Sequence, residues 1–203
     1  MRELQPHMSP DEILEKFKIG NKRFLEGKPR FRDILVDVSR TALGQTPHAI
    51  VLGCIDSRKP AEVIFDKGLG DIFNARVAGN FVNTDILGSI EFACKVSGSR
   101  LILIMGHSDC GAVKAAVDDV KLGNITPMLA NLKPAVTSVT EIRGEATSKD
   151  KSFVAHVAKQ NVLLNMKKIL QDSPIIAEMV ANEEVKIVGC MYDLETGVVD
   201  FYD

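Results

Sequence analysis

The segment GCIDSR sets a thiol, a carboxylate and a guanidinium side by side as Cys54, Asp56 and Arg58. A second reactive group follows in GHSDCGAV, where His107 and Cys110 stand three residues apart. Two thiols, an imidazole and a carboxylate make a donor set suited to Zn²⁺, which favours thiolate sulfur and imidazole nitrogen in a tetrahedron. A catalytic zinc site takes three protein ligands and keeps one position open. Cys54, His107 and Cys110 would be the three, with water, hydroxide or, in a closed state, Asp56 in the fourth position. The rival chemistry is a nucleophilic thiol. A thiol phosphatase needs C-x₅-R, but the sixth residue after Cys54 is Pro60, and Arg58 comes too early. The plainest alternative makes Cys54 a small core residue and Asp56–Arg58 a structural ion pair. Cys94 and Cys190 read as core thiols. His7, His48 and His156 lack ligand-like neighbours.

These groups can act together only if the fold joins them. HAIVLGC reads as a buried strand ending at Cys54, and RLILIMGH as a second ending at His107. Gly106 turns that strand into HSDCGAVKAAV, a helix start, and a helix N-terminus favours the thiolate form of Cys110. Further strands are expected around 72–77, in VKIVGCMYD and, after the ETG turn, in VVDFYD. Helices are expected over 10–27, near 37–43, and over 59–66, 84–97, 126–140, 152–172 and 174–182, with RGEATSKDKS an exposed loop. The alternation predicts an α/β domain. Its central, largely parallel β-sheet has about four parallel strands and an antiparallel edge strand, and helices flank it. Residues 1–47 would form an N-terminal helical arm and 48–203 the core of a single domain. In open α/β sheets, sites form beyond the carboxyl ends of the strands. Neighbouring parallel strands would therefore bring Cys54 and His107 together.

Composition narrows the partners. The formal net charge is −2, which gives no electrostatic case for nucleic acid or an anionic membrane. No apolar run approaches the ~20 residues needed to span a bilayer. Four cysteines among 203 residues are too sparse for a disulfide framework. MRELQPHMSPDEILEKF holds no apolar signal segment, so the expected location is cytoplasmic, or periplasmic if a signal has been removed.

In this order and spacing, CIDSR, GLGDIFNARVAGN and GHSDCGAV resemble the β-class carbonic anhydrases. The resemblance runs from GNKRF to MYDLETGVVDF and is weakest over roughly 118–152. It implies reversible hydration of CO₂ to bicarbonate and a proton, by attack of zinc-bound hydroxide in a small apolar pocket. It implies one Zn²⁺ per subunit on Cys54, His107 and Cys110. In the active form Arg58 would hold Asp56 off the metal, and Asp56 would accept a hydrogen bond from the hydroxide. Gln45 matches a substrate-contacting glutamine, Phe73 and Ala78 match the CO₂ pocket, and Phe92 an aromatic reaching across a subunit interface. The backbone of Gly111 would approach substrate. Family members form dimers or multiples of dimers, with N-terminal helices embracing the partner, and the apolar face of residues 13–24 fits that. Arg76 and Tyr192 match two of three residues of an inhibitory bicarbonate site. Val51 stands where that site has tryptophan, which implies an enzyme without this inhibition. Two thiolates cancel the metal's charge, so a bound water should be less acidic than in a tris-histidine site, where its pKa is ~7. Activity should then rise with pH above neutrality. Two alternatives share the motif: a CS₂ or COS hydrolase on the same scaffold, and a non-catalytic zinc-binding subunit.

Overall fold

The computed structural model describes residues 8–143 and 146–202. Among these residues one five-stranded sheet has the order β2-β1-β3-β4-β5. The strands are β1 (Ala49–Gly53), β2 (Ile72–Arg76), β3 (Leu101–His107), β4 (Lys186–Tyr192) and β5 (Val199–Tyr202). The first four are parallel, and β5 pairs with β4 antiparallel at the edge. Every residue of β1 and β3 is buried. Their unbroken apolar runs require cover on both faces, which puts them at the centre.

Helices supply that cover. They are α1 (Pro10–Leu25), α2 (Ile34–Thr41), α3 (Ala61–Ile64), α4 (Thr84–Glu91), α5 (Gly111–Val117), α6 (Ile125–Ala130), α7 (Lys133–Arg143), α8 (Lys151–Asp172) and α9 (Pro174–Ala181). On one face, Ile13, Leu14 and Phe17 of α1 join Ile64 and Phe65 against Val51, Leu103 and Val188. On the other, Ile90, Val162, Ile169 and Ile176 close over Ile50, Leu52, Ile102 and Ile104.

The N-terminus of α1 carries a capping box: the Glu12 N–H donates to Ser9 Oγ at 3.2 Å, and the Ser9 N–H to Glu12 Oε2 at 2.7 Å. Gly20 lets α1 lie directly on the residue after α3, since a Cβ there would stand 2.0 Å from the Phe65 carbonyl oxygen. Asp66 is held by Arg23 and Arg32. Burial works to raise its carboxyl, and hydrogen bonds from Arg32, Arg23 and the Arg30 N–H outweigh it, so it lies below the usual range. This ion cluster therefore stabilises the fold above the ordinary carboxylate range, and its contribution fades as pH falls through the lowered value.

Four elements depart from the patterning. The helix expected over 126–140 breaks at Asn131 and Leu132 into α6 and α7. Pro134 has no N–H, and its ring would strike the Ala130 carbonyl in a continuous helix. The helix expected near 37–43 starts earlier, because Asp33 caps it by accepting from the Leu35 and Val36 N–H groups at 3.1 and 3.2 Å. After Glu91, the helix expected over 84–97 widens into a π-helical turn at Phe92–Val96. The apolar face of α1 packs on its own chain rather than standing free for a partner. A run of exposed apolar residues lies around α2, which buries none of its own. His7 and part of the loop RGEATSKDKS lie outside the described residues. No helix among the described residues is long and apolar enough to cross a membrane.

Candidate metal centre

Strands β1 and β3 are parallel neighbours, with Gly53 opposite Met105 in register. Cys54 leaves β1 just past that rung, and His107 ends β3 two residues past it. A turn through Asp109, at φ 56°, sets Cys110 as the N-cap of α5. The two sulfurs stand 3.9 Å apart. One ligand atom from each of Cys54, His107 and Cys110 lies within 4.8 Å of the others, and all three residues are buried.

The imidazole is prepared for a metal. His107 Nδ1 lies 2.8 Å from the Ser108 carbonyl oxygen, so the hydrogen bond assigns the proton to Nδ1 and leaves a lone pair on Nε2. Ser108 is itself anchored, its N–H donating to the Tyr192 carbonyl at 2.9 Å and its Oγ accepting from the Leu194 N–H at 2.8 Å. His107 Nε2 is buried without a hydrogen-bond partner among the described residues. An orphaned buried nitrogen is costly. A cation shared with two adjacent sulfurs resolves it, and this soft donor set is compatible with zinc.

The thiols agree. A hydrogen bond from Cys110 draws the Cys54 thiol well below its ordinary range, against burial and with help from the Gly79 N–H. The same contact, with burial, pushes Cys110 up. The opposite shifts share one cause, the contact between two sulfurs that stand where a metal would bind. Burial pushes Cys94 up to about 12 and Cys190 upward as well, so both stay core thiols.

Arg58 grips Asp56 with both arms, Nε to Oδ1 at 3.0 Å and Nη2 to Oδ2 at 2.7 Å. The Arg58 N–H adds a third bond to Oδ1 at 3.0 Å. The guanidinium hydrogen bonds hold Asp56 far below the usual carboxylate range. Arg76 binds the same segment from β2, donating to the carbonyls of Cys54 at 2.9 Å and Asp56 at 2.6 Å.

Some positioning residues escaped the sequence reading. The Gly79 N–H points at Cys54 Sγ at 3.3 Å. Gly79 adopts φ +85°, and a Cβ there would meet Leu132 at 2.8 Å, so glycine is required twice over. Its carbonyl accepts from Asn161 Nδ2 at 2.8 Å, and Asn165 Oδ1 accepts from the Val82 N–H at 2.7 Å. Two asparagines four apart on the otherwise apolar buried face of α8 were the available signal. Lys59 is also buried, its Nζ donating to the Met105 carbonyl at 2.9 Å.

Other anticipated residues are dispersed. Ala78, half-buried, adjoins Gly79 at the edge of the centre, and Gly111 is exposed as the first residue of α5. Gln45 is exposed ahead of β1, at the opposite end from Cys54. A five-residue strand spans about 16 Å, so Gln45 is remote from the metal centre of its own chain. Phe73 and Phe92 line a cavity of about 750 Å³ with Ile50 and Ile86, and none of Cys54, His107 and Cys110 is on its wall. Tyr192 is buried opposite His107 in register, while β1 and β3 separate it from Arg76 on β2. His48 is half-buried, and His156 is exposed on α8.

Residues 49–199 match the family model described as carbonic anhydrase. Carbonic anhydrase 2 of Mycobacterium tuberculosis is 35% identical over 195 residues, which cover 95% of this chain and 92% of that one. The carbonic anhydrase of Mycolicibacterium smegmatis is 36% identical, over 96% of this chain and 94% of its own. Among solved structures, the β-carbonic anhydrase CafA of Aspergillus fumigatus superposes with a TM-score of 0.75 at 25% identity, over 95% of this chain and 89% of its own. A tetrameric β-carbonic anhydrase of Sordaria macrospora gives 0.72 at 26% identity, over 94% and 97%. With the family model matched over residues 49–199, and relatives and solved structures matched over nearly the full length, the chain belongs to the β class of the carbonic anhydrase family.

Proposed function

We propose that this chain hydrates CO₂ reversibly with one Zn²⁺ per subunit, held by Cys54, His107 and Cys110. The observation that carries this reading is the unpartnered, buried His107 Nε2 beside two thiols. When bound, zinc supplies Lewis-acid activation of water near neutral pH. The protein's own groups do the rest. Ser108 fixes the imidazole, and the Gly79 N–H steadies the Cys54 thiolate. Asp56, kept ionised and aimed by Arg58, accepts a hydrogen bond from the attacking water and so orients it. Ala78 adds an apolar wall for CO₂, and the Gly111 backbone leaves an open approach.

Gln45, Phe73 and Phe92 fit this reading through a second copy of the chain. Phe31 is 95% exposed, Leu35 77% and Leu43 98%, an apolar surface that a homo-oligomer would cover. The Sordaria relative is described as tetrameric. Burial of α2 against a partner would carry Gln45 towards that partner's metal centre. Sedimentation should find a dimer or a multiple of it, and Leu35→Asp should shift it towards monomer. A monomeric wild type contradicts the arrangement. Arg76 serves here as a brace for the Cys54–Asp56 loop, so no inhibitory bicarbonate site is assigned to Arg76 and Tyr192.

Stopped-flow assays of CO₂, COS and CS₂ on the same zinc-loaded sample test the reaction. CO₂ should be the preferred substrate, with kcat/KM rising between about pH 7 and 9, because two thiolates leave the centre formally neutral. A flat profile, or turnover of CS₂ or COS alone, contradicts it.

A further inference from the structure

Lys59 runs into the protein behind the metal centre. It is 1% exposed, and its Nζ hydrogen-bonds the Met105 carbonyl at 2.9 Å. A Cβ on Gly53, the residue paired with Met105, would stand 3.1 Å from Nζ. The ammonium therefore fills the space left by a glycine at the last rung of the β1–β3 pair. Cys54 is the next residue of the chain, and His107 lies two beyond Met105. The titratable groups that act most on Lys59 are Cys190 on β4, Cys54, Cys110 and Arg76 on β2, and among the described residues no carboxylate forms an ion pair with it. A buried ammonium without a counter-ion is costly.

The charges around it suggest what offsets that cost. Zinc and two thiolates sum to zero. Asp56 and Arg58 cancel in their two-armed pair. Lys59 and Arg76 then leave net positive charge around the centre, and a monoanion on the metal's open side offsets part of it. CO₂ is neutral, whereas bicarbonate is a monoanion. We propose that Lys59 is a specificity-determining residue whose buried ammonium favours monoanions at the open position of the metal. The inference rests on the zinc reading above. Burial lowers Lys59 to about 8, still above neutral pH, so the side chain stays charged there.

The test uses thiocyanate as the monoanion. Wild type, Lys59→Met, Lys59→Gln and Lys59→Arg are loaded with cobalt(II), and the visible spectrum is titrated with thiocyanate near pH 7. Lys59→Met and Lys59→Gln should bind it roughly tenfold more weakly at full cobalt occupancy, the scale of one unit charge across a partly shielded interior. Lys59→Arg should stay within about twofold of wild type, since it keeps the charge. Lys59→Gln can keep the hydrogen bond to the Met105 carbonyl, so its loss of affinity separates charge from structure. Unchanged affinity in the Met and Gln variants overturns the role of Lys59 and leaves the zinc reading standing, whatever their melting temperatures. A wild type that takes up no cobalt overturns the zinc reading and this inference with it.

Discussion

Cys110→Ser should lose zinc and CO₂ hydration together, with the rate falling by at least about a thousandfold. Cys110 is 1% exposed and its sulfur lies 3.9 Å from that of Cys54. A serine hydroxyl is near in shape, but it is a harder donor and does not ionise in this setting, so the site loses one anionic ligand. Two donors on a buried, dry site bind zinc far more weakly than three. Cys94→Ala is the control. Cys94 is as deeply buried, but it packs in the core over the other sheet face and stays a thiol. Its variant should lose stability by about 1–2 kcal/mol for the vacated volume and keep full zinc. Metal analysis and stopped-flow hydration on both variants check this. Zinc retained by Cys110→Ser at wild-type activity would refute the assigned ligand set.

The second large effect concerns the latch. Arg58→Ala should cut CO₂ hydration by about a hundredfold or more near pH 8 while leaving zinc bound and the melting temperature little changed. Arg58 is exposed at 57% of its side chain, so the pair adds little to the fold. Its effect is directional: three hydrogen bonds from one residue fix the Asp56 carboxylate. Without them Asp56 can turn towards the metal and take the fourth position. The sign of the pH effect follows from the lowered Asp56 value. In wild type the pairing persists above the ordinary carboxylate range and weakens only as pH falls through the lowered value. In Arg58→Ala the carboxyl returns towards its ordinary range. A crystal structure of the zinc-loaded variant should show Asp56 on the metal. Asp56 unmoved, with activity intact, would sink the latch.

The legibility of this chain was uneven for physical reasons. The ends of β1 and β3 could be read because AIVLG and LILIMGH are continuous apolar runs that only a doubly covered parallel sheet accommodates. Given that β1 and β3 are parallel neighbours, their carboxyl ends bring Cys54 and His107 together. The Asp56–Arg58 pair was readable because its partners are two residues apart, so no tertiary information was needed. Lys59 was not readable. A lysine opening the helix expected over 59–66 carries no mark of burial, and its burial follows from the missing side chain at Gly53 on a neighbouring strand. Asn161 and Asn165 had a visible spacing, but their targets, Gly79 and Val82, lie some eighty residues away. The break between α6 and α7 was written in Pro134 and was overridden by the apolar periodicity around it. Gln45, Phe73 and Phe92 were noticed through resemblance, and a single chain does not gather them at its own metal centre.

Zinc content and CO₂ hydration measured on one preparation test the central claim most directly. One zinc per chain is expected, with hydration lost when a chelator strips the metal and restored by zinc in proportion to uptake. Hydration that persists in the metal-free protein, or full zinc occupancy without hydration, would contradict it.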